Sequence, residues 1–355
     1  MITVTPDTFR LAQVFTISRG SRTEAKVLTV RVSDGGVTGW GECVPYARYD
    51  ETLDSVTAQI AALPDVLSRA ALYDLLPAGA ARNAVDCALW DLEAKRAGQR
   101  VWDLAGLPEL GPEITAYTLS LDTPEAMEAA VAELVTQGKR YFIVVANMMT
   151  TMLGSVDDPD LYLAPIEKRG LAYRLHIDGA YGGFYFPFAN TDHQLSFANP
   201  HVTSVTLDAH KMAQAPYGTG IFLIRKGWMH YAATDEARYV QGLDYTICGS
   251  RNGAQAVSIW MILHTHGPNG WRQNIHSLMN ETDRLCNALD ELGITYFRNP
   301  LMNIISIHAG QIPEAICKKY RLVADNFSDP KWWKIVVMPH SMGKVVDRFI
   351  HDLNL

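Results

Sequence analysis

The sequence is poor in cysteine, has no excess of positive charge and contains no long apolar run. Its five cysteines, at 43, 87, 248, 286 and 317, are odd in number, and none stands in C-x-x-C spacing. That pattern argues against a disulfide framework and against a structural zinc site, and it fits a reducing cytoplasm. The 31 Lys and Arg are outnumbered by 38 Asp and Glu, for a net charge of −7. Without a basic footprint, neither nucleic acid nor an anionic membrane surface is an expected partner. No run approaches the roughly 18 apolar residues of a membrane span. The opening residues, MITVTPDTFRLAQVF, lack the charged-then-apolar layout of a signal peptide. Internal repeats, low-complexity segments and Pro/Gly/Ser-rich linkers are also missing.

What is present is an ordinary globular composition, 48% hydrophobic over 355 residues, long enough for two domains. Residues 1–40 read as antiparallel β structure, with alternation from Lys26 to Val32 and a tight turn at Ser33-Asp34-Gly35-Gly36. A helix is expected after Asp50-Glu51-Thr52, with Leu53, Val56 and Ile60 on one face. A clearer one spans 80–97, where Ala84, Ala88 and Leu92 align and Gly98 ends the pattern. A strand over Ile114–Leu121 is followed by a helix start, with Thr123 as N-cap and Pro124 at N1. The texture then changes. Tyr141-Phe142-Ile143-Val144-Val145-Ala146 is a continuous apolar run, as in a buried parallel strand. Similar runs at Tyr173–Ile177, Ser204–Leu207 and Gly220–Ile224 make this half α/β. Helical patterns dominate 253–293. Strands at Asn303–His308 and Lys334–Val337, with a closing helix, suggest a small α+β part.

Three features of this half carry chemistry. Asp178, in His176-Ile177-Asp178-Gly179-Ala180-Tyr181-Gly182-Gly183, ends an apolar strand, where α/β sheets present ligands. A carboxylate there suits a protonated pyridine nitrogen, and the small residues at 179 and 180 leave room for a flat ring. Lys211 follows Ser204-Val205-Thr206-Leu207-Asp208-Ala209-His210, and a strand-end lysine can condense with an aldehyde. Thr151, in Asn147-Met148-Met149-Thr150-Thr151, offers a hydroxyl after another apolar strand. Each is weak alone, since strand-end Asp residues usually cap turns and lysines are usually solvated. Their order and spacing together point to a pyridoxal-phosphate site.

From about 139 to 355 the sequence resembles the group II pyridoxal-phosphate decarboxylases, of the aromatic-L-amino-acid and tyrosine type. The carrying stretches are YFIVVANMMTTMLGSVDD, LHIDGAYGGFYFPF, SVTLDAHKMAQAPYGTGIFLIRKG and ICGSRNGA. The resemblance implies a partial fold-type-I, aspartate-aminotransferase-like domain over 133–295, a small α+β domain over 296–355, and a homodimer. It makes Lys211 the Schiff-base lysine and Asp178 the partner of the pyridine nitrogen. Ala180 would lie against the ring, His210 near the phosphate and Thr151 in the polar network beneath the cofactor. Ser250 would reach the phosphate, and Tyr239 or Tyr245 would protonate the substrate carbon. The expected substrate is an L-amino acid, preferably aromatic. The family's phosphate cradle and ring-stacking histidine precede this region, and here no histidine stands before His176. Weakened cofactor binding is therefore expected.

Residues 1–132 resemble something else, the α+β capping domain of enolase-superfamily dipeptide epimerases. The stretches are FTISRGSRTEAKVLTV, GVTGWGECVPYARYDETLDSV, AARNAVDCALWDLEAKRAG and ITAYTLSLDTPEAM. There, loops bearing Arg19, Arg22 and Thr23, then Pro45, Tyr46 and Tyr49, would choose the substrate. The barrel chemistry of that family needs a Lys-x-Lys pair and three Mg²⁺ ligands on separate strands. No Lys-x-Lys occurs, so neither Mg²⁺ nor epimerase activity is expected. The two resemblances meet near 128–139, which reads as a chimera.

Overall fold

The computed structural model describes residues 1–17, 20–109, 111–112, 123–232, 245, 251–326 and 329–354. The chain divides into two units, Met1–Leu121 and Asp122–Leu355, each with its own apolar core. Among the described residues no helix is long and apolar enough to cross a membrane.

Unit 1 begins with strands β1 (Ile2–Ile17), β2 (Gly20–Asp34) and β3 (Val37–Cys43), an antiparallel meander in that order. Gly35 and Gly36 join β2 to β3 with φ of 58° and 78°. A two-residue hairpin turn needs that left-handed backbone at both positions. Helices α1 (Leu53–Ala61), α2 (Arg69–Leu75), α3 (Ala80–Ala97) and α4 (Val101–Leu104) follow. The expected start of α1 is a capping box, in which Thr52 accepts from Ser55 N. The α3 face expected from the sequence is buried, Ala84, Val85 and Ala88 completely, and Gly98 ends the helix at φ 61°. Small residues let α3 press on β3. A Cβ built on Gly39 would lie 2.0 Å from the Ala88 carbonyl oxygen, and one on Gly41 2.0 Å from that of Ala84.

Unit 2 opens with α5 (Pro124–Thr136), capped by Thr123, whose hydroxyl accepts from Ala126 N. Then come β4 (Tyr141–Asn147), α6 (Pro159–Glu167), β5 (Ala172–Asp178), α7 (Phe186–Ala189), β6 (Val202–Asp208) and β7 (Gly220–Ile224). The sheet order is β4-β5-β6-β7. Next is α8 (Gly253–Glu291), broken at Gly267 (φ 59°) just before Pro268. β8 (Tyr296–Phe297), β9 (Ile304–His308), α9 (Glu314–Lys319), β10 (Val323–Ala324), β11 (Trp332–Val336) and α10 (Lys344–Leu353) complete the unit. Their strands form a second, antiparallel sheet in the order β10-β11-β9-β8. Ile275, Leu278, Leu285 and Leu289 of α8 share one core with Ile304, Ile305 and Ile307 of β9. Fully buried Asn303 ties that sheet to the loop after β5. Its Nδ2 donates to Val337 O at 2.8 Å, and its Oδ1 accepts from Tyr181 Oη at 3.0 Å.

Two expectations are corrected here. β4 and β5 are parallel to β6, but β7 runs antiparallel to it, because an apolar run carries no information about strand direction. Nor is β4 buried on both faces. Ala146 is inaccessible, whereas Tyr141 and Ile143 are 86% and 79% exposed. Parallel strands are normally covered on both sides. Here the face bearing Tyr141, Ile143, Val145 and Phe222 is open, and among the described residues it is the opposite face that meets the core.

Candidate active site

The carboxyl ends of β5 and β6 bring the predicted residues to one edge. Beyond Asp178 the chain turns sharply, with Gly179 N donating to Thr206 O at 2.9 Å and Gly183 N to Gly179 O at 2.8 Å. Gly182 is a steric requirement against backbone, whereas Gly183 faces only the movable tip of Leu207. A Cβ on Gly182 would lie 2.2 Å from Met148 O, and one on Gly183 2.0 Å from Leu207 Cδ2. Asp178 is therefore held on a tightly packed turn. Its Oδ1 accepts from Ala180 N at 3.1 Å.

The second turn follows β6. Asp208 N donates to Ala180 O at 3.1 Å, and Lys211 N to Asp208 O at 3.1 Å. These bonds set the Asp178–Ala180 and Asp208–Lys211 turns side by side. Lys211 Nζ lies 2.8 Å from Asp208 Oδ2, with the lysine side chain 40% exposed and the aspartate 21%. His210 Nε2 is 3.8 Å from the same oxygen. His210 Nδ1 donates to Thr219 O at 3.4 Å, and its ring sits 5.1 Å from that of Tyr217.

His176 occupies the open face two residues before Asp178. Its Nδ1 is 2.8 Å from Ser204 Oγ and its Nε2 3.2 Å from Thr206 Oγ1. The Phe222 ring stacks at 6.2 Å and 27°. Burial pushes the imidazole down from its ordinary value, while nearby Asp178 opposes that.

The other predicted positions are less closely linked. Thr151 is exposed, and its carbonyl accepts from Lys334 Nζ at 2.9 Å. Tyr245 is exposed, while Tyr239 and Ser250 lie outside the described residues. Asp208 was not singled out from the sequence, although its place three residues before Lys211, across a turn, was the available signal. Among the described residues no group of three or more His, Cys, Asp or Glu is arranged to hold a metal ion.

A carboxylate, a small-residue gap and a primary amine at one sheet edge suit a flat, cationic, aldehyde-bearing ring. Residues 118–297 match the pyridoxal-dependent decarboxylase conserved domain, and residues 1–106 match the mandelate racemase/muconate lactonizing enzyme N-terminal domain. A tryptophan decarboxylase of Clostridium sporogenes is 46% identical over 228 residues, covering 64% of this chain and 55% of that protein. The L-Ala-D/L-Glu epimerase of Escherichia coli is 40% identical over 176 residues, covering 46% of this chain and 55% of that protein. The chain thus spans about half the length of the curated relatives it matches. The crystal structure of an L-methionine decarboxylase from Streptomyces sp. 590 is alike in fold, at 20% identity. Its TM-score is 0.54, and the likeness covers 65% of this chain and 56% of that one. With half of its residues inside the decarboxylase match, the chain belongs to the pyridoxal-dependent decarboxylase family, and its residues 1–106 are similar to the N-terminal domain of the other family.

Proposed function

We propose that unit 2 binds pyridoxal phosphate at Lys211 and serves the decarboxylation of an L-amino acid, aromatic by preference. The observation that carries this is the pair of hydrogen-bonded turns that sets Asp178 and Ala180 beside Asp208 and Lys211. Likeness to a tryptophan decarboxylase supports the aromatic preference.

When bound, the cofactor supplies a conjugated cationic ring that takes up the electron pair left as the bond to the carboxylate breaks. The protein's own groups do the rest. Asp178 accepts the pyridine N–H and so keeps that nitrogen protonated. Ala180 keeps the ring's approach clear. Lys211 Nζ would hold the aldehyde carbon, and Asp208, 2.8 Å away, orients the amine. His210, held by Thr219, and Ser250 are assigned to the phosphate, and Thr151 to the polar network below. Tyr239 or Tyr245 returns a proton to the substrate carbon. A cytoplasmic homodimer is the assembly proposed, with no role for Mg²⁺. Weak cofactor binding is part of the proposal, since no histidine precedes His176 to stack on the ring.

Two measurements test it. The protein is incubated with pyridoxal phosphate and carboxyl-labelled L-tryptophan, and released CO₂ is counted. Release above a protein-free control supports turnover. Cofactor captured at Lys211 without release restricts the function to binding, and the absence of both capture and release sinks the proposal. Asp178→Asn removes a charge-assisted hydrogen bond to the ring, a loss of about 1.5–3 kcal/mol. Cofactor affinity should then fall roughly tenfold to a hundredfold in an absorbance titration. An unchanged Kd would remove Asp178 from the site.

A further inference from the structure

His176 lies inside a matched motif, yet the proposed chemistry does not use it. Its surroundings suggest a separate task. β5 and β6 do not pair evenly. Leu175 stands opposite Val202, but His176 stands opposite Ser204, so Thr203 is an extra residue. The bulge explains why Val202 and Val205, three apart, are both buried on the core face. At the bulge, Leu175 N donates to Thr203 Oγ1 at 3.4 Å. Beyond the bulge the pairing must resume in one of two phases. A slip by one residue would turn Thr206 and Asp208 to the opposite face.

We propose that His176 is a positioning residue, which locks β6 against β5 beyond the Thr203 bulge and so sets Asp208 and Lys211 in register with Asp178. Its two nitrogens reach Ser204 and Thr206, successive residues on one face of β6. Only the phase observed puts both hydroxyls within reach of one ring. A neutral imidazole donates from one nitrogen and accepts at the other, and a hydroxyl can serve either role. Phe222, opposite Thr206 on β7, covers the ring. The bonds downstream of this clasp are Gly179 N to Thr206 O and Asp208 N to Ala180 O, the same two that hold the site's turns together.

The consequence for cofactor binding rests on the function proposed above, but the lock itself is read without cofactor. Backbone hydrogen exchange is followed in the full chain for wild type, His176→Ala, His176→Gln and the double variant Ser204→Ala/Thr206→Val. In His176→Ala and in the double variant, exchange at Gly179 and Asp208 should rise by about tenfold, with β4 and the upstream half of β5 unchanged. His176→Gln, whose amide both donates and accepts, should restore much of the protection. Unchanged exchange at those amides, or a loss spread evenly over the sheet, would overturn the lock. Borohydride capture of pyridoxal phosphate at Lys211 is measured alongside. No capture in wild type would count against the proposed function alone, because the exchange result stands independently.

Discussion

Lys211→Ala is expected to abolish covalent capture of pyridoxal phosphate by this chain. Borohydride reduction fixes the cofactor to whichever amine has condensed with it, and peptide mass spectrometry then names the residue. Unit 2 also carries lysines such as Lys168 and Lys331, both with side chains more than half exposed. Those give the background of random surface modification. Lys211 differs in its setting. A carboxylate stands 2.8 Å from Nζ and fixes its direction, and the turn of Asp178 and Ala180 is hydrogen-bonded alongside. Wild type should therefore show label concentrated on the Lys211 peptide, and the variant only the scattered background. Label spread evenly over the lysines of wild type would show that the sheet edge confers no selectivity, and the proposed site would fall with it. Asp208→Asn offers an internal check. It retains the shape but loses the ion pair that orients Nζ, so capture should slow without changing position.

The second large effect lies in unit 1 and concerns packing. Gly41→Ala places a methyl group 2.0 Å from the Ala84 carbonyl oxygen and 2.9 Å from Ala88 N. Both are backbone atoms within α3, so no side chain can rotate out of the way. Either the helix lifts off β3 or the strand bends. Both outcomes open a core in which Val30, Ala84, Val85 and Ala88 are fully inaccessible. Overpacking against a fixed backbone should cost about 3 kcal/mol. For a unit of this size that lowers Tm by roughly 10 °C. Scanning calorimetry should show one transition shifted and the transition of unit 2 in place. A shift below about 2 °C would mean that α3 does not approach β3 as closely as described.

Much of this was legible in the residues. Thr52, Thr123 and Gly98 announced helix ends through local hydrogen-bonding chemistry, which depends little on the rest of the fold. The strand runs were found for the same reason, but their surroundings were not. An apolar run records that a strand is sticky, not whether a second layer covers it. Tyr141 and Ile143 read as core and are open to solvent. Direction was equally hidden, as β7 shows. At the site, Asp178 and Lys211 stood out by residue type and order, and the structure sets their turns side by side. Asp208 was passed over, because its partnership with Lys211 depends on how the chain turns after β6. The bulge at Thr203 had a trace, the three-residue spacing of Val202 and Val205, which becomes informative only once the neighbouring strand is known.

The open face of the β4–β7 sheet also has a thermodynamic signature. Apolar surface that is already hydrated in the native state adds nothing to the heat capacity gained on unfolding, nor to the surface newly offered to denaturant. Unit 2 should therefore unfold with a smaller ΔCp and a shallower urea dependence than a sheet of the same length covered on both sides. Its stability curve is correspondingly flat, so cooling does little to strengthen it. A ligand or a second protein surface laid over Tyr141, Ile143 and Phe222 would steepen both quantities.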